Sequence, residues 1–293
     1  MIAQTIPDLL ARAARHPFLH AHLTLDDNLN GVCPARVIAH FADSTLGSVY
    51  EPIFDISVNA HAQSLSAAPH NAERFGDELG FQAFVQQLDR AQPNPDEPRD
   101  SAQESPRELF ERVDDEQTLV TLDRMSRAMH AINFFGAQRR GLLFLRVHER
   151  LLKSVKYDHG KHFSTVLLSF GLNPARIVIE LPGAAVAHRT FLGYLTKSYQ
   201  RYGFRVAGNL SNAGQILSVS DTVRLDFIKM DTASALRDAM IKPLTSYAKR
   251  LHIPLIFTQV SDEAQFELLR QHDVQFVQGP LFAPPASAAV TAS

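Results

Sequence analysis

Short apolar runs alternate with helical stretches over the second half of the chain. Runs of β-branched, aliphatic and aromatic residues, which are typical of buried strands, cover 142–147, 176–181, 204–208, 223–231, 253–260 and 274–279. An earlier strand is predicted at 49–56. Amphipathic spacing and helix-ending glycines such as Gly171 and Gly203 predict helices at 118–135, 161–172, 185–203, 234–251 and 263–272. Pro243 is expected to kink or split the fourth of these helices.

This alternation predicts successive βα units and a mostly parallel sheet. About seven or eight units over 293 residues favour a closed, TIM-type (β/α)₈ barrel of the α/β class. The alternative is an open Rossmann-like sheet. It is disfavoured because no G-x-G-x-x-G pattern follows a strand.

Three segments fall outside the regular pattern. Four prolines and many charges lie within 92–107, which predicts a flexible inserted loop. Small and polar residues at 286–293 predict a flexible tail. The N-terminal segment 1–33 is unassigned, although part of it is expected to form an amphipathic helix packed on the barrel. The barrel domain itself is predicted to span 34–285.

Charge and cysteine content narrow the function classes. Lys plus Arg total 29 against 31 for Asp plus Glu, so no basic excess points to nucleic acid or to an anionic membrane surface. Cys33 is the single cysteine, which excludes an intrachain disulfide and a cysteine-rich zinc site. The N-terminus has no uninterrupted apolar run of the signal-peptide kind, so a cytoplasmic location is expected.

Polar residues follow several of the predicted strands where each one ends. In a (β/α)₈ barrel the carboxyl ends of the strands form the functional face, so these residues are candidates for one mixed pocket. They include Arg146, Glu180, Asn209, Lys229, Asp231 and Gln278, together with Asp55, His148, Thr258 and Gln259.

Five sequence stretches, in order, carry a resemblance to a known family. They are YEPIFDI at 50–56, LDRMSRAM at 122–129, FSTVLLSFGLNPARIVIEL at 163–181, LDFIKMD at 225–231 and FVQGPLFAPP at 276–285. Together they resemble the EAL domain, a bacterial phosphodiesterase that opens cyclic di-GMP. The resemblance implies a modified (β/α)₈ barrel and a site with two divalent metal ions.

The chain departs from the resemblance at the positions that would hold metal. The glutamate of the glutamate-alanine-leucine triplet aligns with Gln63, and a metal-binding asparagine aligns with Arg146. A pair of aspartates aligns with Gly208 and Asn209. The matching positions that remain are Glu180, Lys229, Asp231 and Gln278.

These departures predict the loss of metal-dependent hydrolysis. Mg²⁺ and Mn²⁺ sites are built mainly from oxygen ligands, and two adjacent divalent ions need several carboxylates to offset their repulsion. An arginine at position 146 cannot deprotonate to become a ligand. No catalytic residue, metal ligand or cofactor is therefore expected, and Mg²⁺ or Mn²⁺ enters only if the chain is an active phosphodiesterase.

Three hypotheses for function follow. The first is a catalytically inactive regulator that acts on an unidentified protein partner in bacterial signalling, such as control of motility, biofilm or transcription. The second is a metal-independent receptor, in which Arg146 and Lys229 bind the phosphates of cyclic di-GMP and Gln278 bonds a guanine edge. A plainer role for Arg146 is a salt bridge to Glu180 on the next strand. The third is an active phosphodiesterase with rearranged ligands such as Glu149 or Asp158.

Overall fold

The computed structural model describes residues 4–26, 35–57, 75–88, 110, 113–154, 159–219, 223–237, 239–283 and 285–287. The predicted loop at 92–107, Gln63 and Cys33 lie outside these residues. Among the helices in the described ranges, none is long and apolar enough to cross a membrane.

The described chain opens with two helices and four strands, and from the fourth strand onwards helices separate most successive strands. The strands are β1 (Leu23–Asp26), β2 (Arg36–Phe41), β3 (Ser44–Asp55), β4 (Asp77–Gln87), β5 (Leu142–Arg146), β6 (Ile177–Leu181), β7 (Arg205–Leu210), β8 (Phe227–Asp231), β9 (Leu255–Thr258), β10 (Phe276–Gln278) and β11 (Ala286–Ser287). The α-helices are α1 (Ile6–Ala13), α2 (Pro17–His22), α3 (Glu116–Gly136), α4 (Glu149–Ser154), α5 (Lys161–Phe170), α6 (Gly183–Val186), α7 (Arg189–Arg201), α8 (Thr232–Arg237), α9 (Ile241–Leu251) and α10 (Glu263–Gln271).

Eight strands, β3 to β10, close into a barrel, which confirms the predicted fold class. Strands β4 to β9 are joined by parallel pairings, and β10 is parallel to β9. Strand β3 runs antiparallel to both of its barrel neighbours, β4 and β10, and its pairing with β4 closes the barrel. Strands β1 and β2 extend β3 as an antiparallel sheet outside the barrel, and β11 pairs with β3 as well.

Several predicted elements differ from the structure. Strand β4 was missed, and the strand predicted at 223–231 is formed only by Phe227–Asp231. The helix predicted at 185–203 is two helices, α6 and α7. The helix predicted at 234–251 is also two, and Pro243 lies in the first turn of α9, where a helix does not need the missing N–H.

The N-terminal segment packs onto the barrel's helical layer through α1. A capping box joins Thr5 and Asp8 at the start of this helix, and Leu9 is fully buried among core residues. Arg12 donates to the backbone oxygen of Phe170 at 2.5 Å, which provides a partner for a carbonyl at the end of α5. Helix α1 therefore joins the layer formed by α3 and α5.

A separate apolar cluster fills the inside of the barrel. It draws residues from almost every barrel strand, including Ile53, Phe144, Val178, Ala207, Phe227, Ile256 and Phe276. Because side chains alternate across a strand, the residue two positions further on returns to the same interior face. The residues two positions beyond the apolar layer therefore form the next interior layer, towards the carboxyl ends of the parallel strands.

Candidate functional site

A layer of polar side chains lies directly above the apolar layer inside the barrel. Its buried members are Glu51 of β3, Gln82 of β4, Glu180 of β6, Lys229 of β8 and Gln278 of β10. Each lies two positions along its strand from a residue at the barrel interior; examples are Val178 before Glu180 and Phe227 before Lys229. The strand pattern thus brings together residues that are up to 227 positions apart in sequence.

The centre of this layer is an ion pair between Lys229 and Glu180. Their Nζ and Oε1 atoms are 2.5 Å apart, and the two side chains are 2% and 0% exposed. The Nζ atom also lies 5.3 Å from the centre of the Phe144 ring. Burial lowers the pKa of Lys229, and the carboxylate of Glu180 acts in the opposite direction. Glu180 therefore has its counter-charge within the protein.

Amide side chains connect this ion pair to a second buried carboxyl group. Lys229 Nζ donates to Gln82 Oε1 at 2.7 Å, and Gln82 Nε2 donates to Glu180 Oε2 at 3.2 Å. Gln278 Nε2 donates to Gln82 Oε1 at 2.8 Å and also to Glu51 Oε2. Burial raises the pKa of Glu51. Within the described residues, Gln278 Oε1 is buried without a hydrogen-bond partner.

Three more of the predicted site residues lie at the outer edge of this layer. Arg146 ends β5, two positions after Phe144, and its side chain is exposed. Its charge is near enough to help lower the pKa of Lys229, after burial as the larger cause. Asn209 is half-buried and donates through Nδ2 to the backbone oxygen of Leu181 at 3.2 Å. Asp231 Oδ1 accepts from the backbone N–H of Ser234 at 2.8 Å, as at a helix N-cap.

The sequence suggested a salt bridge between Arg146 and Glu180, and the described structure pairs Glu180 with another residue instead. The two residues are register partners on β5 and β6, as expected. Among the described residues, however, the ion-pair partner of Glu180 is Lys229. Ala207 of β7, the register partner of Glu180 on its other side, has only a methyl side chain. We attribute the Lys229–Glu180 contact across β7 to this small residue and to the length of the lysine.

Gln82 and Glu51 belong to the polar layer but were not among the residues predicted for the site from the sequence. The sequence alignment placed the glutamate-alanine-leucine triplet at Gln63, which lies outside the described residues. The triplet Gln82-Ala83-Phe84 on β4 matches it equally well, and β4 pairs with β3 along ten register positions. The sequence feature that could have identified β4 as the matching strand is this triplet, which directly follows Gly80 and Phe81. At either position an amide replaces the glutamate, so the chemical consequence is the same.

The donor set does not fit the pair of divalent ions that the resemblance implies. Glu180 is already paired with Lys229, and Asp231 bonds the backbone at the start of α8. Arg146 adds a positive charge at the end of β5, and the nearby Gln82 and Asn209 are neutral. In the described part of the chain, no group of three or more His, Cys, Asp or Glu residues is placed to hold a metal ion.

Comparisons with known proteins agree on one family and one fold. The family model of the EAL domain matches residues 96–285, which is more than half of the 293-residue chain. No curated protein sequence matches the chain.

Solved structures of similar fold cover most of the chain. A standalone EAL protein from Vibrio cholerae, solved with cyclic di-GMP bound, has a TM-score of 0.62 and 17% identity, over 85% of this chain and 96% of its own. The EAL domain of FimX from Pseudomonas aeruginosa, also bound to cyclic di-GMP, has a TM-score of 0.62 and 14% identity, over 85% and 93%. The YkuI protein of Bacillus subtilis, with cyclic di-GMP and calcium, has a TM-score of 0.62 and 17% identity, over 84% and 57%.

Proposed function

Because the chain belongs to the EAL domain family of cyclic di-GMP signalling proteins, we propose that it is a member that does not hydrolyse the nucleotide and acts as a regulatory scaffold for a protein partner. The observation that carries the proposal is the Lys229–Glu180 ion pair at 2.5 Å. A carboxylate that is neutralised by a buried lysine and bonded to an amide is a poor ligand for a divalent ion.

The neighbouring positions support the same conclusion. Hydrolysis by two divalent ions needs ligands that offset about four positive charges and hold a water for attack. Gln82 and Asn209 contribute no charge, and Arg146 contributes a charge of the wrong sign. The apolar layer beneath them is intact, so the barrel persists as a folded surface although the acidic positions have been lost.

The test is an assay of the purified chain with cyclic di-GMP and Mg²⁺ or Mn²⁺, with the linear dinucleotide separated by chromatography. We expect no product above a protein-free blank, while an active EAL phosphodiesterase assayed in parallel converts the substrate. Metal-dependent product that disappears in Glu180→Gln would overturn the proposal. Capture of the tagged chain from its host is expected to return a stoichiometric protein partner, and its consistent absence would argue against the scaffold role.

A second candidate function is a receptor that binds cyclic di-GMP without metal. The observation that favours it is the exposed guanidinium of Arg146, which lies at the end of β5 near the buried ammonium of Lys229. Guanidinium groups form bidentate contacts with phosphate oxygens, which is the role that a metal ion would otherwise fill. If this candidate is correct, the nucleotide binds in the absence of divalent ions and Arg146→Gln weakens that binding.

A further inference from the structure

A cavity of about 100 Å³ lies outside the barrel, among the helices that cover it. Helix α3 contributes Val120, Asp123, Arg124 and Arg127 at helical spacing, so these four side chains share one face. The segment before and within α5 contributes His159, His162 and Phe163, and α7 contributes Tyr199. The cavity therefore belongs to the helical layer and not to the polar layer inside the barrel.

The floor of the cavity holds one buried ion pair. Arg127 Nε and Nη2 both donate to Asp123 Oδ1 at 2.9 Å, and the guanidinium carbon lies 5.7 Å from the centre of the Phe163 ring. The Asp123 and Arg127 side chains are 14% and 9% exposed. The carboxylate and the guanidinium of this pair offset each other, so the pair adds no net charge to the cavity.

Apart from the phenol of Tyr199, the other ionisable groups of the described lining are bases. Arg124 and His162 are exposed at the rim, and His159 is buried below them, where its ring lies 6.1 Å from the centre of the Tyr199 ring. Burial lowers the pKa of both imidazoles. Arg127 lowers that of His159 further, and Arg124 and then His16 lower that of His162. Both imidazoles are therefore mainly neutral near pH 7, so beyond the Asp123–Arg127 pair the positive charge of the described lining comes from Arg124, and the imidazoles add N–H donors.

Apart from Tyr199, the rest of the lining is apolar in the part of the chain that the structure describes. It includes Leu19, Val120, Val147, Leu151, Leu152 and Val166. A bare inorganic anion would leave these side chains facing empty or wet space, whereas an anion with an apolar body would bury them. The described residues include no group of three or more His, Cys, Asp or Glu placed to hold a metal ion, so the imidazoles do not form a cation site.

We propose that this cavity binds a small organic carboxylate, with its anionic end between Arg124, His159 and His162 and its apolar body against Val120, Leu151 and Leu152. The arginine supplies a positive charge with several N–H donors, and each neutral imidazole supplies one N–H donor that a carboxylate oxygen can accept. The volume of about 100 Å³ suits a body the size of one six-membered ring. The site is separate from the proposed nucleotide chemistry and does not depend on it.

The test is isothermal titration of the full chain with benzoate, and with benzyl alcohol and inorganic phosphate as comparison ligands. We expect saturable binding of benzoate at one site, at least tenfold tighter than either comparison ligand. Arg124→Gln is expected to weaken benzoate binding about tenfold, which corresponds to roughly 1.4 kcal/mol. Arg124 is exposed, so this variant keeps the fold.

Two further variants make the result specific. Arg140→Gln removes an exposed arginine outside the cavity lining and is expected to leave benzoate binding unchanged. Val120→Phe places a ring in the cavity and is expected to abolish binding, with folding checked by thermal unfolding. The proposal is overturned if benzoate does not bind, if benzyl alcohol binds as tightly, or if Arg124→Gln and Arg140→Gln bind benzoate equally.

Discussion

Replacement of Lys229 by methionine is expected to lower the free energy of unfolding by about 3–5 kcal/mol, because it leaves the carboxylate of Glu180 buried without a counter-charge. The side chain of Glu180 is 0% exposed, and Lys229 is its ion-pair partner at 2.5 Å. Methionine retains most of the volume of lysine, so the loss comes from charge and hydrogen bonding and not from a cavity. Urea unfolding followed by circular dichroism measures the difference.

A matched control is available on the surface of the same protein. Lys249 and Asp273 form an ion pair at 3.6 Å in which both side chains are largely exposed, and such pairs contribute under about 1 kcal/mol. Lys249→Met should therefore leave the unfolding midpoint nearly unchanged. Adding Glu180→Gln to Lys229→Met should recover much of the lost stability, since the unpaired charge is then removed. Equal effects of Lys229→Met and Lys249→Met would contradict the buried ion pair.

Acid is expected to destabilise the fold through His130, a histidine held neutral in the core. Burial lowers its pKa to about 3, and Arg127 adds to the shift. Its Nδ1 lies 2.8 Å from Ser48 Oγ, and the side chain is 5% exposed. In the unfolded chain the pKa returns to 6.5, so that state binds more protons between pH 6.5 and pH 3. Stability from this residue is present above pH 6.5 and falls as the pH drops, by about 2–3 kcal/mol between pH 7 and pH 4.5.

Two variants distinguish the effect of His130 protonation on stability from the effects of other groups that titrate in acid. His130→Gln removes the titration, so the variant should lose about 2–3 kcal/mol less stability than the wild type over the same pH range, whatever its stability at pH 7. His20→Gln, which alters an exposed histidine on α2, should follow the wild-type profile. Urea unfolding at several pH values gives both profiles. Identical slopes for His130→Gln and the wild type would show that His130 is not the buried neutral group described.

The barrel could be predicted from sequence where its strands are buried on both faces. Strands β6 and β9 are short runs of apolar residues, and the apolar periodicity alone located them to within two residues. Strand β4 was missed because Gly80, Gln82 and Gln86 interrupt its apolar pattern. Gln82 faces the barrel interior, where its polarity is satisfied by Lys229 and Glu180. A strand whose polar residue is buried by long-range partners cannot be recognised from local hydrophobicity.

The site could be predicted only as a set of strand ends. The sequence placed Glu180, Lys229 and Gln278 at the same face because the carboxyl ends of parallel strands converge there. The sequence did not show whether Arg146 or Lys229 pairs with Glu180. The pairing depends on how far the lysine side chain reaches across Ala207 of the intervening strand. Glu51 was not among the predicted site residues, because it lies on the early strand β3. It enters the layer because β3 runs antiparallel and brings its residue next to Gln278 of β10.

The most direct test of the central claim, that this barrel has no working metal site, is calorimetric titration with cyclic di-GMP in Mg²⁺ and, separately, in EDTA. The account predicts that the two isotherms superimpose. Metal-free binding that weakens in Arg146→Gln would identify the receptor function, and equal absence of binding in both buffers would leave the scaffold function. Binding that requires Mg²⁺ and is lost in Glu180→Gln would contradict the account, because Glu180 would then be a metal ligand and not the permanent partner of Lys229.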